Sequence, residues 1–282
     1  MAPPAVENRY VPQLHSVVMV RPIIALLTDF GTRDHYSGVM KGVVLGICPD
    51  VTLVDLSHDL PPHDIVFAAH ELAATYKYFP LGTIFVVVVD PGVGTARRGL
   101  AAEAADRKFV APDNGVLTAL FQEAPPKRVV ELTERKYARP TVSRTFEGRD
   151  RFAPAAAFLA KGIHLEAFGR TVTDYHVLGL NPPELNGTTL RGRVIRVDRF
   201  GNIVTNLDRK SCERLTGSPA GLQLSIAGKT IDRIVSTYGD LANGEIGALF
   251  GSTDHLECSA QSANAAERLG VSVGDPVELR RI

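Results

Sequence analysis

The chain lacks the marks of several large protein classes. It carries only three cysteines, Cys48, Cys212 and Cys258, far apart and with no C-x-x-C pair. That spacing argues against a disulfide framework or a zinc knuckle and fits a reducing, cytoplasmic compartment. Neither sign of charge is in excess, since Lys+Arg and Asp+Glu both number 31. A balanced chain gives no reason to expect nucleic acid or an anionic membrane as a partner. Residues 1–22 hold no basic start followed by an apolar run, so no signal peptide is read there. They read as a loose extension, with Met1 or Met19 as the start. The stretch SVVMVRPIIALL is broken by Arg21 and Pro22 and is too short to span a bilayer. The glycine fingerprints of the common nucleotide cradles, G-x-G-x-x-G and G-x-x-x-x-G-K-[ST], are also missing.

What is present is 45% hydrophobic residues, arranged in two rhythms. In the first half, apolar strands alternate with helices. IIALLTDF, VTLVDLS, TIFVVVVD and KFVAPDNG read as strands; YSGVMKGVVLGIC, HDIVFAAHELAATYKYF, VLTALFQE and RFAPAAAFLAKG read as helices. Strands with little polar alternation, separated by helices, predict an α/β domain with a largely parallel sheet over 23–182. Asn181-Pro182-Pro183 and Asn186-Gly187 break this rhythm. Short strands with Gly, Asn and Asp turns follow, predicting a smaller all-β, barrel-like domain over 188–282.

Ligands of an open α/β sheet collect beyond the carboxyl ends of its strands. Three predicted strand ends carry acids: Asp29, the group Asp55, His58 and Asp59, and Asp90. Parallel strands would bring them to one edge. The stretch from His58 to Glu71, with His63, Asp64 and His70, has mixed imidazole and carboxylate groups but no compact metal-ligand spacing, so no metal is expected. His63 and His70 are read as lining one wet helix face. In TFEGRDRFAP, Asp150, next to Arg149, and Pro154 suit a helix start, leaving Glu147 as the freer carboxylate. In VDRFGNIVTN, Asp198, Phe200 and Asn202 allow two readings: a β-turn, or a stacking aromatic beside polar groups that holds a purine.

The order TDFGT, ICPDVTLVDLSHD, FPLGTIFVVVVDPGVGT, APDNGVLT, TFEGRDRFAPAAA, DRFGNIVTN and GDPVEL resembles the S-adenosylmethionine hydrolases, or SAM hydroxide adenosyltransferases, relatives of fluorinase and chlorinase. The resemblance spans about residues 23 to 282. It implies attack of water or hydroxide at the ribose C5′ of S-adenosyl-L-methionine, giving adenosine and L-methionine, with no cofactor. It also implies a homotrimer with the substrate held between one subunit's first domain and its neighbour's second. By the same resemblance, Asp29 and Asn181 serve the ribose, and Phe146, Phe200 and Asn202 line the adenosyl site. Asp198 binds the methionine ammonium, with Ser252 nearby. Asp90 and Arg97 match two members of the family's catalytic Asp–Arg–His set.

The third member departs from the pattern. Where the hydrolases usually read TFHGRD, this chain has Glu147. A carboxylate accepts water's proton but, ionised, donates no hydrogen bond, so hydrolysis with an altered pH profile is expected. Fluorinase-type enzymes have tyrosine at Asp90 and serine at Gly148, which disfavours a halide adenosyltransferase. A SAM-binding protein that has lost catalysis at Glu147 is the other alternative. In the segment 255–262, His255, Cys258, Gln261 and Ser262 replace the residues the family usually has.

Overall fold

The computed structural model describes residues 21–216 and 221–281. The expected N-terminal extension therefore lies almost wholly outside the described residues. The first sheet has six strands: β1 (Ile23–Thr28), β2 (Thr52–Ser57), β3 (Ile84–Val88), β4 (Gly99–Ala104), β5 (Arg107–Pro112) and β6 (Arg128–Glu131). Their spatial order is β2-β1-β3-β5-β4-β6. The pairs β1–β2, β1–β3 and β3–β5 are parallel, whereas β4 runs antiparallel to β5 and β6.

Strands β4 and β6 are additions to the sequence reading. GLAAEA is built of small residues without β-branching and gives little strand signal. Its place is set by neighbours that cover both of its edges.

Helices α1 (Tyr36–Ile47), α2 (Ile65–Thr75), α3 (Thr118–Glu123) and α4 (Ala153–Ala160) complete the domain. Met40 and Val44 of α1 and the alanines of α4 cover Ile24, Leu26, Val86 and Val88 on one face. Ala68 and Leu72 of α2 and Leu120 of α3 cover Ala25, Leu27, Phe85 and Val87 on the other. Successive residues of a strand point to opposite faces, so a sheet covered on both sides needs an unbroken apolar run. That is the reason for the four valines that precede Asp90.

The second sheet is antiparallel and nearly barrel-shaped. It holds β7 (Glu184–Asn186), β8 (Thr189–Val197), β9 (Ile203–Asp208), β10 (Leu222–Ile226), β11 (Lys229–Ile231), β12 (Ile246–Phe250), β13 (His255–Ala260) and β14 (Pro276–Arg281). The order is β11-β10-β14-β8-β9-β13-β12, with β7 on β8. The long β8 pairs with β14 through its first half and with β9 through its second, which curves the sheet around one core. Two short helices that the all-β reading did not include, α5 (Arg209–Thr216) and α6 (Ala265–Leu269), sit among these strands. No helix among the described residues is long and apolar enough to cross a membrane.

Candidate active site

Because β2, β1 and β3 are parallel, their carboxyl ends share one edge, and the acids predicted there divide by role. Asp55 is structural: its Oδ1 lies 3.0 Å from His58 Nε2, and Lys41 Nζ donates to its Oδ2 at 2.6 Å. His58 is buried, with Nδ1 2.8 Å from Thr28 Oγ1. Asp29 and Asp90 instead line a cavity of about 290 Å³ with Phe30, Tyr36, His63, Phe146, Glu147 and Gly148. Phe30, Tyr36 and Phe146 form one aromatic cluster, with ring centroids 5.2 to 5.9 Å apart.

His63 is not on the helix face expected of it. It precedes α2 at a positive φ of 67°, and its backbone N–H donates to Asp29 Oδ2 at 2.8 Å. The N-cap of α2 is Asp64, whose side chain accepts from Phe67 N. His63 therefore fixes the Asp29 carboxylate through its main chain. His70, on α2, faces the second sheet rather than solvent.

Asp90 and Arg97 meet as the resemblance implies. Arg97 Nη2 donates to Asp90 Oδ2, and the same nitrogen reaches Glu147 Oε2 at 2.9 Å. The guanidinium also donates through Nη1 to the carbonyl of Arg98 at 2.8 Å and lies 5.4 Å from the Phe152 ring centroid. All three charged side chains are nearly buried. Glu147 is thus not the freer carboxylate that its place beside Gly148 suggested. Its other oxygen, Oε1, accepts from Arg151 Nη1 at 3.1 Å. Asp90 keeps one oxygen, Oδ1, buried and without a partner among the described residues. Burial pushes the Asp90 pKa up, against the pull of Arg97 and with a further push from Glu147. Of the two carboxylates that Arg97 joins, Asp90 is the one with an oxygen that no described residue bonds.

The glycine turn after β3 serves a contact within the protein. Gly94 has a φ of 80°, and a Cβ there would lie 2.4 Å from the Arg144 carbonyl oxygen. The turn thus touches the loop that carries Glu147. Past that residue the chain makes a π-helical turn (Gly148–Phe152) before α4. Asp150 in this turn is fully buried and is bound by Arg149, Arg139 and the Ser143 N–H, so it clamps the loop rather than caps a helix. Helix irregularities of this kind concentrate at functional sites.

The second group of predicted residues lines a different cavity, of about 710 Å³. Asp198, Phe200, Asn202 and Ser252 share it with Tyr238, Gln261 and Ser262. Asp198 Oδ1 accepts from the N–H groups of Phe200 and Asn202, and Oδ2 from the Asn202 amide. That tight turn holds Phe200 outward, 78% exposed. A large aromatic face in the open is a stacking surface. Asn181 joins neither cavity. It lines a cleft between the two sheets with His70, Glu71, Arg196 and His255, and its carbonyl accepts from Asn206.

Two residues that the sequence reading passed over complete the picture. Arg151 stands four residues after Glu147, the spacing that sets side chains on one helical face. Glu257 is buried beside the second cavity and accepts from the Tyr238 hydroxyl; burial raises its pKa. The first had a signal in its spacing, but nothing in the sequence joins Tyr238 to Glu257. Among the described residues, no three His, Cys, Asp or Glu side chains come together as a metal-ligand group.

Comparison with known proteins bears on both halves. The model of the SAM hydroxide adenosyltransferase N-terminal domain matches residues 24–169, and that of the C-terminal domain matches residues 192–278. An (R)-S-adenosyl-L-methionine hydrolase of Thermus thermophilus is 37% identical over 268 residues, covering 92% of this chain and 100% of the relative. A protein of the same name from Methanocaldococcus jannaschii is 33% identical, covering 91% and 95%. A fluorinase of Nocardia brasiliensis is 30% identical, covering 92% and 97%. A solved structure of an uncharacterized conserved protein from Thermotoga maritima matches with a TM-score of 0.87 at 35% identity, covering 92% of this chain and 100% of that one.

Proposed function

This chain belongs to the SAM hydroxide adenosyltransferase family, and on that premise we propose that it hydrolyses S-adenosyl-L-methionine to adenosine and L-methionine. The observation that carries the reading is the buried Asp90–Arg97–Glu147 group in the cavity that also holds Asp29. Water attacks C5′ of the ribose. The C5′–S bond breaks with its electron pair going to sulfur, which leaves as the neutral thioether of methionine. Asp90 Oδ1 takes the proton of the attacking water. A base so placed contributes roughly 10²- to 10⁴-fold. Arg97 holds both carboxylates in place, and Glu147 stands where the family's histidine is expected. A sulfonium is already a good leaving group, so the chemistry needs neither metal nor cofactor.

Asp29 takes the ribose hydroxyls in this reading, with Phe146 as part of the wall, while Asn181 stays in the cleft between the sheets and has no part in this cavity. The cavity of Asp198, Phe200, Asn202 and Ser252 takes the adenine and the methionine end. Among the described residues, the two cavities have no lining residue in common within one chain. A homotrimer, in which a neighbour's second domain faces the Asp90 cavity, unites them. A cytoplasmic location follows the reading of the cysteines, which are all buried and unpaired. Halide transfer is the weaker reading, because a halide in this cavity meets the free Asp90 oxygen and is repelled.

The test is incubation of the purified protein with S-adenosyl-L-methionine in buffer free of halide and added metal. Equimolar adenosine and methionine, lost in Asp90→Asn, are expected. Binding without turnover would leave a SAM-binding protein in place of an enzyme.

A further inference from the structure

Glu147 lines two cavities. Besides the Asp90 cavity it forms the floor of a second one, of about 320 Å³, with Leu132, Thr133, Glu134, Tyr137, Val142 and Arg151. Among the described residues it is the only one common to both. The rear cavity has exposed Thr133, Glu134 and Arg135 at its rim and the buried Glu147 at its floor. The Glu147 carboxylate is suspended between them. Oε2 faces Arg97 on the Asp90 side, and Oε1 faces Arg151, which also donates to the Leu132 carbonyl at the wall of the rear cavity.

Resting on the hydrolase reading above, we propose that the rear cavity is the solvent port of the reaction, with Glu147 as its proton-passing wall. Hydrolysis of a sulfonium consumes one water and releases one proton per turnover. With substrate in the Asp90 cavity and a second domain over its mouth, the front is closed to solvent at the moment of reaction. The C5′–O bond forms as the C5′–S bond breaks, and the water's proton goes to Asp90. Both carboxylates line the Asp90 cavity, so a water held between them takes the proton on to Glu147, and from there it passes to water in the rear cavity and to bulk. The guanidiniums hold the carboxylates but do not carry the proton, because arginine stays protonated throughout. A histidine at this position would pass a proton between its two nitrogens. The glutamate does the same between its two oxygens, each turned toward a different cavity.

The test fills the port without touching the reacting groups. Val142→Trp and Ala138→Trp, on the cavity wall, are compared with the unmodified protein. The expected result is a kcat lowered about tenfold or more at unchanged KM, with a larger solvent deuterium isotope effect as proton release becomes limiting. A kcat within about twofold of the parent would overturn the port while leaving the hydrolase reading intact. An unmodified protein that forms no adenosine would instead remove the hydrolase reading itself. A second measurement needs no variant: a crystal structure of the protein with adenosine and methionine bound. Ordered water running from Glu147 through the rear cavity to bulk is expected, and a dry rear cavity overturns the proposal.

Discussion

Arg97 Nη2 bridges two carboxylates, bound at once to Asp90 Oδ2 and, at 2.9 Å, to Glu147 Oε2. One nitrogen thus joins the loop after β3 to the loop before α4. Removing the cation leaves two buried acids facing each other. Breaking a buried pair in this way costs about 3–5 kcal/mol, because the remaining charge has no compensation. Arg97→Met is expected to lower stability by that order in urea unfolding and to abolish adenosine formation. Arg97→Lys, a point charge without the planar fork, should recover part of the stability and little of the rate. A loss below about 1 kcal/mol in Arg97→Met, the range of an exposed pair, would show that the bridge does not hold the site together.

The raised pKa of Asp90 gives a pH dependence with a defined sign. Burial is the largest cause, and the native carboxyl binds its proton more tightly than the unfolded one, whose ordinary value is 3.8. From that value up to the raised one, the native state holds more protons than the unfolded state. The Asp90 contribution to stability is therefore full below this window and is lost as pH rises through it. The rate runs the opposite way, since the base form is needed: its acid limb should lie above 3.8. The charge of Glu147 adds to the push on the Asp90 carboxyl and so sets part of that limb. Glu147→Gln should move it. An identical pH–rate profile in that variant would remove Glu147 from proton handling.

The strand ends were legible in the sequence because parallel strands put their carboxyl ends at one edge. That rule nominates Asp29 and Asp90, which line one cavity; the roles given to them come from the resemblance. The same rule also nominates Asp55, His58 and Asp59, and only the structure separates them: His58 Nδ1 pairs with Thr28 Oγ1, and Nε2 lies against Asp55. Partnership is a matter of distance, which spacing does not encode. The pairing of Asp90 with Arg97 across a short turn was within reach of the sequence. The bond from Arg97 to Glu147 was not, because it depends on how the π-helical turn presents the loop. His63 departs from its expected helix face because its positive φ keeps it ahead of the Asp64 N-cap, outside α2. The antiparallel β4 escaped for want of β-branched residues.

His70 makes the contact between the two sheets sensitive to acid. Its pKa is pushed down to about 4, first by burial and then by His255, from an ordinary 6.5. Between these values the unfolded chain binds a proton that the native chain does not. Stability therefore falls as pH drops from 6.5 toward 4. The full effect is on the order of 3 kcal/mol, at about 1.4 kcal/mol per pH unit. His70→Gln should flatten the dependence in thermal melts across this range. A slope equal to the parent's would mean that other groups set it.

Gly201 permits the turn that presents Phe200. Its φ is 85°, and a Cβ there would lie 2.1 Å from the Asn264 side-chain oxygen and 2.8 Å from the Asn264 Cα. Backbone at that distance cannot swing aside. Gly201→Ala is expected to destabilise the second domain by about 1–3 kcal/mol through strain and displaced neighbours. It should weaken S-adenosyl-L-methionine binding in calorimetry more than it lowers kcat. Binding equal to the parent's would show that the Asp198–Asn202 turn does not touch the substrate.

The separation of the Asp90 and Asp198 cavities makes a prediction that one chain alone cannot meet. If each complete site joins one chain's first domain to its neighbour's second, two inactive variants carry complementary halves. Asp90→Asn spoils the first cavity, and Asp198→Ala spoils the second. Unfolded together and refolded as a mixture, they form rings in which some junctions pair an intact first domain with an intact second one. Random mixing in a cyclic, head-to-tail assembly makes that junction about a quarter of the total. Activity near that fraction of the parent's is expected, while each variant refolded alone stays inactive. A site built within a single chain would show no recovery, because every Asp90 half would then be matched with its own chain's Asp198 half. Light scattering on the same mixture fixes the ring size: a trimeric mass with no recovered activity would place the site within one chain and leave the assembly without a role in catalysis.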